Sequence, residues 1–123
     1  MKPRIILSIG SLFGLTGVIL GAFGAHALEA ALAARETTAV WETAVDYQMW
    51  HALALLVLAV LPAGLRPNYC VICFALGIVL FSGSLYGLAL GGPKWLGPVT
   101  PLGGLLLIVG WIGLLFRGWR YRE

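Results

Sequence analysis

Charge is what this sequence has least of. Asp, Glu, Lys and Arg make up only 11% of its 123 residues, where an average soluble domain carries about 25%. Hydrophobic residues reach 60%, more apolar surface than a water-soluble chain of this length can hide. Cysteine is nearly absent as well. Cys70 and Cys73 are the two in the chain, too few for a disulfide scaffold, and their spacing puts them on one helix face. They open an apolar segment on the side expected to be cytoplasmic, where thiols stay reduced, so they read as small core residues rather than a redox pair. The eight basic residues form no stripe on a polar face, which argues against a nucleic-acid partner. A phosphate loop, a protease triad and a kinase motif are all missing. No catalytic residues, no cofactor and no metal are therefore expected.

What the chain does have is long uncharged runs. Ile5 to Ala25 is free of charge over 21 positions, and a helix needs about 20 to cross the hydrocarbon. A cleaved signal peptide is the competing reading, with Lys2 and Arg4 in front and Ala25-His26-Ala27 as the cleavage site. The run is too long for that, because signal-peptide apolar regions hold about 7–15 residues. Further runs give four spans at about 5–25, 43–62, 69–91 and 100–117, with Pro62, Gly64 and Pro101 as punctuation. The expectation is one all-α membrane domain over residues 1–123, a four-helix transmembrane bundle. Leu28 to Ala34 has strong helix propensity and predicts a short interfacial helix between spans one and two. No internal repeat is evident.

Five glycines of span one, Gly10, Gly14, Gly17, Gly21 and Gly24, alternate in spacing between four and three. Gly83, Gly87 and Gly91 follow at spacing four in span three. Small residues let membrane helices approach closely, so these eight are expected to carry helix packing, within one chain or between copies in a homo-oligomer. Polar groups near the spans are few, and each one inside a bilayer needs a reason. His26, Glu42, Asp46, Tyr47, Gln48 and His51 fall near the outer ends of spans one and two, and Ser84 and Tyr86 add hydroxyls in span three. They are expected to form a polar cluster at the outer leaflet, with His26 and His51 near one another and Glu42 or Asp46 within reach. The plain reading is a set of mutual hydrogen bonds. Ligand or proton binding is the functional one. Metal or haem ligation is weaker, because the two histidines stand at no recognised ligand spacing.

Four segments resemble a known family: Gly21-Ala-Phe-Gly-Ala-His-Ala-Leu28, the stretch from Trp41 to Leu55 containing Asp-Tyr-Gln-Met-Trp-His, Ser82-Gly-Ser-Leu-Tyr86, and Thr100-Pro-Leu-Gly-Gly104. Together, in this order, they are similar to the YgdD/YwdK family of small bacterial inner-membrane proteins of unknown function. The resemblance implies a four-span membrane fold with His26, Tyr47, Gln48, His51, Ser84, Tyr86, Thr100 and Pro101 at family motif positions. It implies no activity. The lipid bilayer is the expected partner. The leading expectation is binding of a lipid, a small ligand or a protein through the outer cluster. A subunit of a compact oligomeric transporter or channel is the alternative, disfavoured while the ionisable groups lie shallow. A membrane enzyme or redox protein comes third.

Six Lys and Arg residues, at 2, 4, 66, 117, 120 and 122, flank the side shared by both termini, against Arg35 and Lys94 on the other. The positive-inside rule then puts both termini in the cytoplasm. A reporter fused after Glu123 is expected to work only as a cytoplasmic fusion. Activity confined to the other side of the membrane would overturn both the orientation and the even number of spans.

Overall fold

In a computed structural model, which describes residues 1–121, the chain is helical throughout. Arg122, counted above with the basic flank, lies outside the described residues. The helices are α1 (Pro3–Ala25), α2 (Glu29–Ala34), α3 (Thr38–Val60), α4 (Asn68–Ala89) and α5 (Leu96–Arg120), with a 3₁₀ turn at Ala63–Leu65 between α3 and α4. The four long helices are each long and apolar enough to cross a membrane. Pro3 sits in the first turn of α1, where its missing N–H costs nothing. Pro101 falls in the second turn of α5. The helix-breaking Pro62 and Pro67 bracket the 3₁₀ turn.

The helices form a bundle whose close contacts run in the order α1, α3, α4, α5. One apolar core joins all four, built from Ile6 of α1, Leu55 and Leu58 of α3, Val71, Phe74 and Ile78 of α4, and Leu107 of α5. The outward faces are clothed in large apolar side chains such as Leu15, Val18, Val57, Leu105 and Leu115, the reverse of a soluble bundle and the surface that lipid accepts. A second, smaller cluster sits at the far end, where buried Leu32 pins α2 against Trp41 of α3 and Ala89 of α4. Thr37 reinforces this by donating to the Ala89 carbonyl at 2.7 Å.

Glycine sets how closely the helices meet. Along the antiparallel α1–α3 seam, a Cβ on Gly10 would stand 2.9 Å from Leu56 and 3.2 Å from the Ala52 carbonyl, and one on Gly17 would stand 2.5 Å from the Met49 sulfur. Val45 and Trp41 occupy the corresponding space beside Gly21 and Gly24. Gly14 differs from the expected packing role: nothing approaches it within 4 Å. It lies about 40° around the helix from Gly10, at the edge of the stripe. Gly83 likewise meets nothing within 4 Å, because it points away from α5. Gly87 packs on Leu96 at the start of α5, and Gly91 adopts a positive φ of 79° at the turn after α4, with the Arg35 guanidinium laid over it.

The α4–α5 seam uses glycines that the spacing argument passed over. Gly103 meets the backbone of Leu80 and Phe81 directly, Gly110 receives the Phe74 ring and Gly113 receives Tyr69 and Cys70. The seven-residue step from Gly103 to Gly110 was the available signal. Because Gly103 faces backbone, which cannot swing aside, Gly103→Ala is expected to destabilise the bundle by about 1–3 kcal/mol. Gly14→Ala, in open space, should stay within about 0.5 kcal/mol. Thermal unfolding of both variants in mild detergent checks this, and equal midpoints would show that the α4–α5 seam is not held by backbone contact.

Candidate functional site

The polar residues expected to gather at one end divide into two groups at different depths. The first is a buried network. Gln48, 3% exposed on α3, donates through Nε2 to the Phe13 carbonyl at 2.9 Å and to Thr16 Oγ1 at 2.8 Å, both on α1. Its Oε1 accepts the Tyr86 hydroxyl of α4 at 2.7 Å. One amide thus joins three helices. Trp41 Nε1 donates to the Leu20 carbonyl at 2.9 Å, and its ring packs against Tyr86 with centroids 4.7 Å apart. Ser82 donates to the Ala44 carbonyl at 2.7 Å, while Ser84 and Thr100 share a hydroxyl–hydroxyl bond of 2.6 Å between α4 and α5.

His51 belongs to this buried group and not to the end of the bundle. Because α3 begins at Thr38, thirteen residues precede His51 in the helix, about 20 Å at ~1.5 Å per residue. It is 4% exposed. Its Nδ1 donates to the Tyr47 carbonyl at 2.6 Å, and its Nε2 accepts the Trp111 indole N–H at 2.9 Å. That pair of partners suits the neutral imidazole protonated at Nδ1, with both ring nitrogens used. Around it lie Tyr47, Phe74 and Trp111, with Phe74 and Trp111 at 5.4 and 5.8 Å from the imidazole. So one ionisable side chain does sit deep in the bundle, but it has no hydrogen-bonding capacity left for a passing proton or ion. Trp111 and Thr100 were not among the grouped polar residues of the sequence reading. Trp111 looks like one more lipid-facing aromatic in the sequence, and no periodicity reveals that its N–H turns inward.

The second group lies at the end of the bundle. His26 follows the last turn of α1 and is exposed, as are Glu42 and Asp46 on α3. The two histidines are not brought together: one is solvent-facing past Ala25 and the other is enclosed at mid-helix. Glu42 and Asp46 instead open onto a cavity of about 410 Å³ between α1, α2 and α3. Its apolar walls are Gly21, Gly24, Ala25, Leu32 and Val45, with Trp41 alongside, and Glu29 of α2 adds a third carboxylate. No Lys or Arg lines it. At this wall Gly21 and Gly24 let α1 come close to Val45 and Trp41 of α3, with little room for a side chain at either position. Among the described residues no group of His, Cys, Asp and Glu has the arrangement to hold a metal ion.

The Gln48 network makes a measurable claim. In a double-mutant cycle, Gln48→Leu and Tyr86→Phe are expected to show a coupling of about 0.5–1.5 kcal/mol, the range of buried interhelical hydrogen bonds in membranes. Unfolding of the single and double variants in mild detergent gives the number. Strictly additive effects would mean that the two side chains do not bond.

Comparison with known proteins agrees with this architecture. The chain is 42% identical to the UPF0382 membrane protein YwdK of Bacillus subtilis, with 96% of this chain and 98% of that one covered. It is 41% identical to the UPF0382 membrane protein SH2409 of Staphylococcus haemolyticus, with the same coverage. It is 39% identical to a UPF0382 membrane protein of Haemophilus influenzae, with 95% of each chain covered. No solved structure matches. The family model described as a protein of unknown function, DUF423, matches residues 20–104, the stretch that holds the acidic cavity and the α3 and α4 members of the buried network. This chain therefore belongs to the DUF423 family of small membrane proteins.

Proposed function

We propose that this membrane protein holds a small amphiphile bearing a protonated amine in the cavity between α1, α2 and α3. The observation that carries the reading is the coexistence of an apolar wall and three carboxylates in one space of about 410 Å³. Glu42 and Asp46 stand one helical turn apart on α3, a like-charge pairing that costs helix stability. With no basic residue lining the cavity, a cation relieves that repulsion. The wall of Gly21, Gly24, Ala25, Leu32 and Val45 suits the alkyl part of the same molecule. The excess of Lys and Arg at the opposite end supports an orientation with both termini in the cytoplasm of a bacterial inner membrane and the cavity at its outer face.

Octylamine and octanol, titrated into the full chain in lipid nanodiscs, separate the two halves of this proposal. The amine is expected to shift the amide resonances of Gly21, Gly24 and Val45, and octanol to leave them nearly unchanged. The E42Q/D46N variant should weaken amine binding at least about tenfold, since each lost charge–charge contact is worth of order 1 kcal/mol near a protein surface. Equal responses to amine and alcohol, or an unaffected double variant, would remove the carboxylates from the site.

A further inference from the structure

The opposite end of the bundle carries the reverse charge. It holds the N-terminal ammonium, Lys2, Arg4, Arg66, Arg117 and Arg120, while every Asp and Glu of the described residues, Glu29, Glu36, Glu42 and Asp46, lies at the cavity end. Three of these basic groups, the ammonium, Arg66 and Arg117, have partners within the chain. The ammonium of Met1 donates to Asn68 Oδ1 at 2.7 Å. Arg66 donates to the Ala59 and Leu61 carbonyls at 3.3 and 3.2 Å, capping the C-terminal end of α3.

Arg117 and Arg120 are placed differently. With Gly64 and Tyr121 they line a cavity of about 350 Å³ between the 3₁₀ turn and the end of α5. Arg117 donates through Nε to the Gly64 carbonyl, which anchors the guanidinium at the cavity with one of its five N–H donors. The Tyr121 ring closes the opposite wall so tightly that a Cβ on Gly64 would stand 3.0 Å from it. Arg120 is one helical turn from Arg117 and is exposed. Two guanidinium groups converging on one small space form a receptor for a planar or tetrahedral oxyanion, because the fork of N–H donors matches its oxygens in pairs. The site sits at the C-terminal end of α5, a helix long and apolar enough to cross a membrane, and the exposed aromatics Phe116 and Trp119 on the same turn are the residues that favour a membrane–water interface.

We infer that the cavity formed by Gly64, Arg117, Arg120 and Tyr121 binds the phosphate group of an anionic phospholipid. Pockets of basic residues between membrane helices recognise such headgroups through this chemistry. The anchored Arg117 supplies orientation, and Arg120 supplies charge from the adjacent turn. The site is separate from the acidic cavity, which lies at the other end of the molecule, so neither binding event depends on the other.

Native mass spectrometry of the full chain in mild detergent tests this, with phosphatidylglycerol and phosphatidylcholine of identical acyl chains as probes. Phosphatidylglycerol is expected to bind at least about tenfold more tightly, and Arg120→Gln to weaken it about fivefold, as the loss of one basic group near a membrane surface implies. The R117Q/R120Q double variant should abolish the preference. Lys94→Gln, which removes one positive charge at the other end, should leave it intact. If the double variant fails to fold, Arg120→Gln decides alone, because that side chain takes no part in holding the turn. Equal retention of the two lipids, or an equal effect of Lys94→Gln and Arg120→Gln, would overturn the inference. Displacement of phosphatidylglycerol by millimolar inorganic phosphate would assign the site to a free anion instead of a lipid.

Discussion

A polar side chain inside hydrocarbon has no water to fall back on, and the bundle is organised around that constraint. Gln48 carries two N–H donors and an acceptor oxygen into the middle of the molecule, where a polar group left without a partner costs several kcal/mol. It meets the demand by reaching α1 through Phe13 and Thr16 and α4 through Tyr86. The rest follows from that geometry. For Gln48 Nε2 to touch a backbone carbonyl of α1, the two helices must run close together, and Gly10 and Gly17 make the approach feasible. For Ser82 to reach the Ala44 carbonyl, α3 and α4 must do the same. Among the described residues no buried side-chain nitrogen or oxygen lacks a partner. The hydrogen bonds and the small residues are thus two expressions of one requirement, proximity of backbones in a solvent that offers no polar alternative.

Much of this was legible before any coordinates. The number of long apolar runs and the short helix after the first are composition-level features, and they depend on little except the thickness of a bilayer. The stripe of span one was readable because glycine at steps of three and four has one geometric meaning in a helix. Depth was not readable in the same way. His51 stands eight residues into the span read from the sequence, 43–62, and that start puts it near the outer end. In the structure α3 continues back to Thr38 as one helix, so the charges form its exposed end and His51 moves to the middle. The partners of His51 were hidden for a related reason. The Trp111 contact joins residues 60 apart in the chain and depends on the rotation of α5 about its axis, which a uniformly apolar helix does not encode in its pattern.

The candidate site was legible as a list of residues and not as an arrangement. Glu42 and Asp46 declared themselves by being acidic beside a span. Glu29, which completes the set around the cavity, sits in an alanine-rich stretch where it reads only as a helix former. What links it to the other two is the fold of α2 back over α3, fixed by a single buried leucine, Leu32, and the Thr37 bond to α4. The separation of roles is clear from burial. Side chains that touch each other deep in the bundle are saturated and hold it together, whereas those with unused capacity lie at the two ends.

The opposite charges of those two ends make the folded protein an electrical object as well as a mechanical one. A resting bacterial membrane is negative inside, and each elementary charge carried across it is worth about 2.3 kcal/mol per 100 mV. In the proposed orientation the basic end rests on the negative side, and on the positive side the four carboxylates of the described residues outnumber Arg35 and Lys94, so the field holds the molecule as it stands. Inverting it would drive the N-terminal ammonium and Arg66, Arg117 and Arg120 uphill together. With that orientation the membrane voltage would act as a continuing lock on a topology that the insertion machinery sets only once, and a cell that loses its voltage would lose that lock while every contact inside the bundle remains.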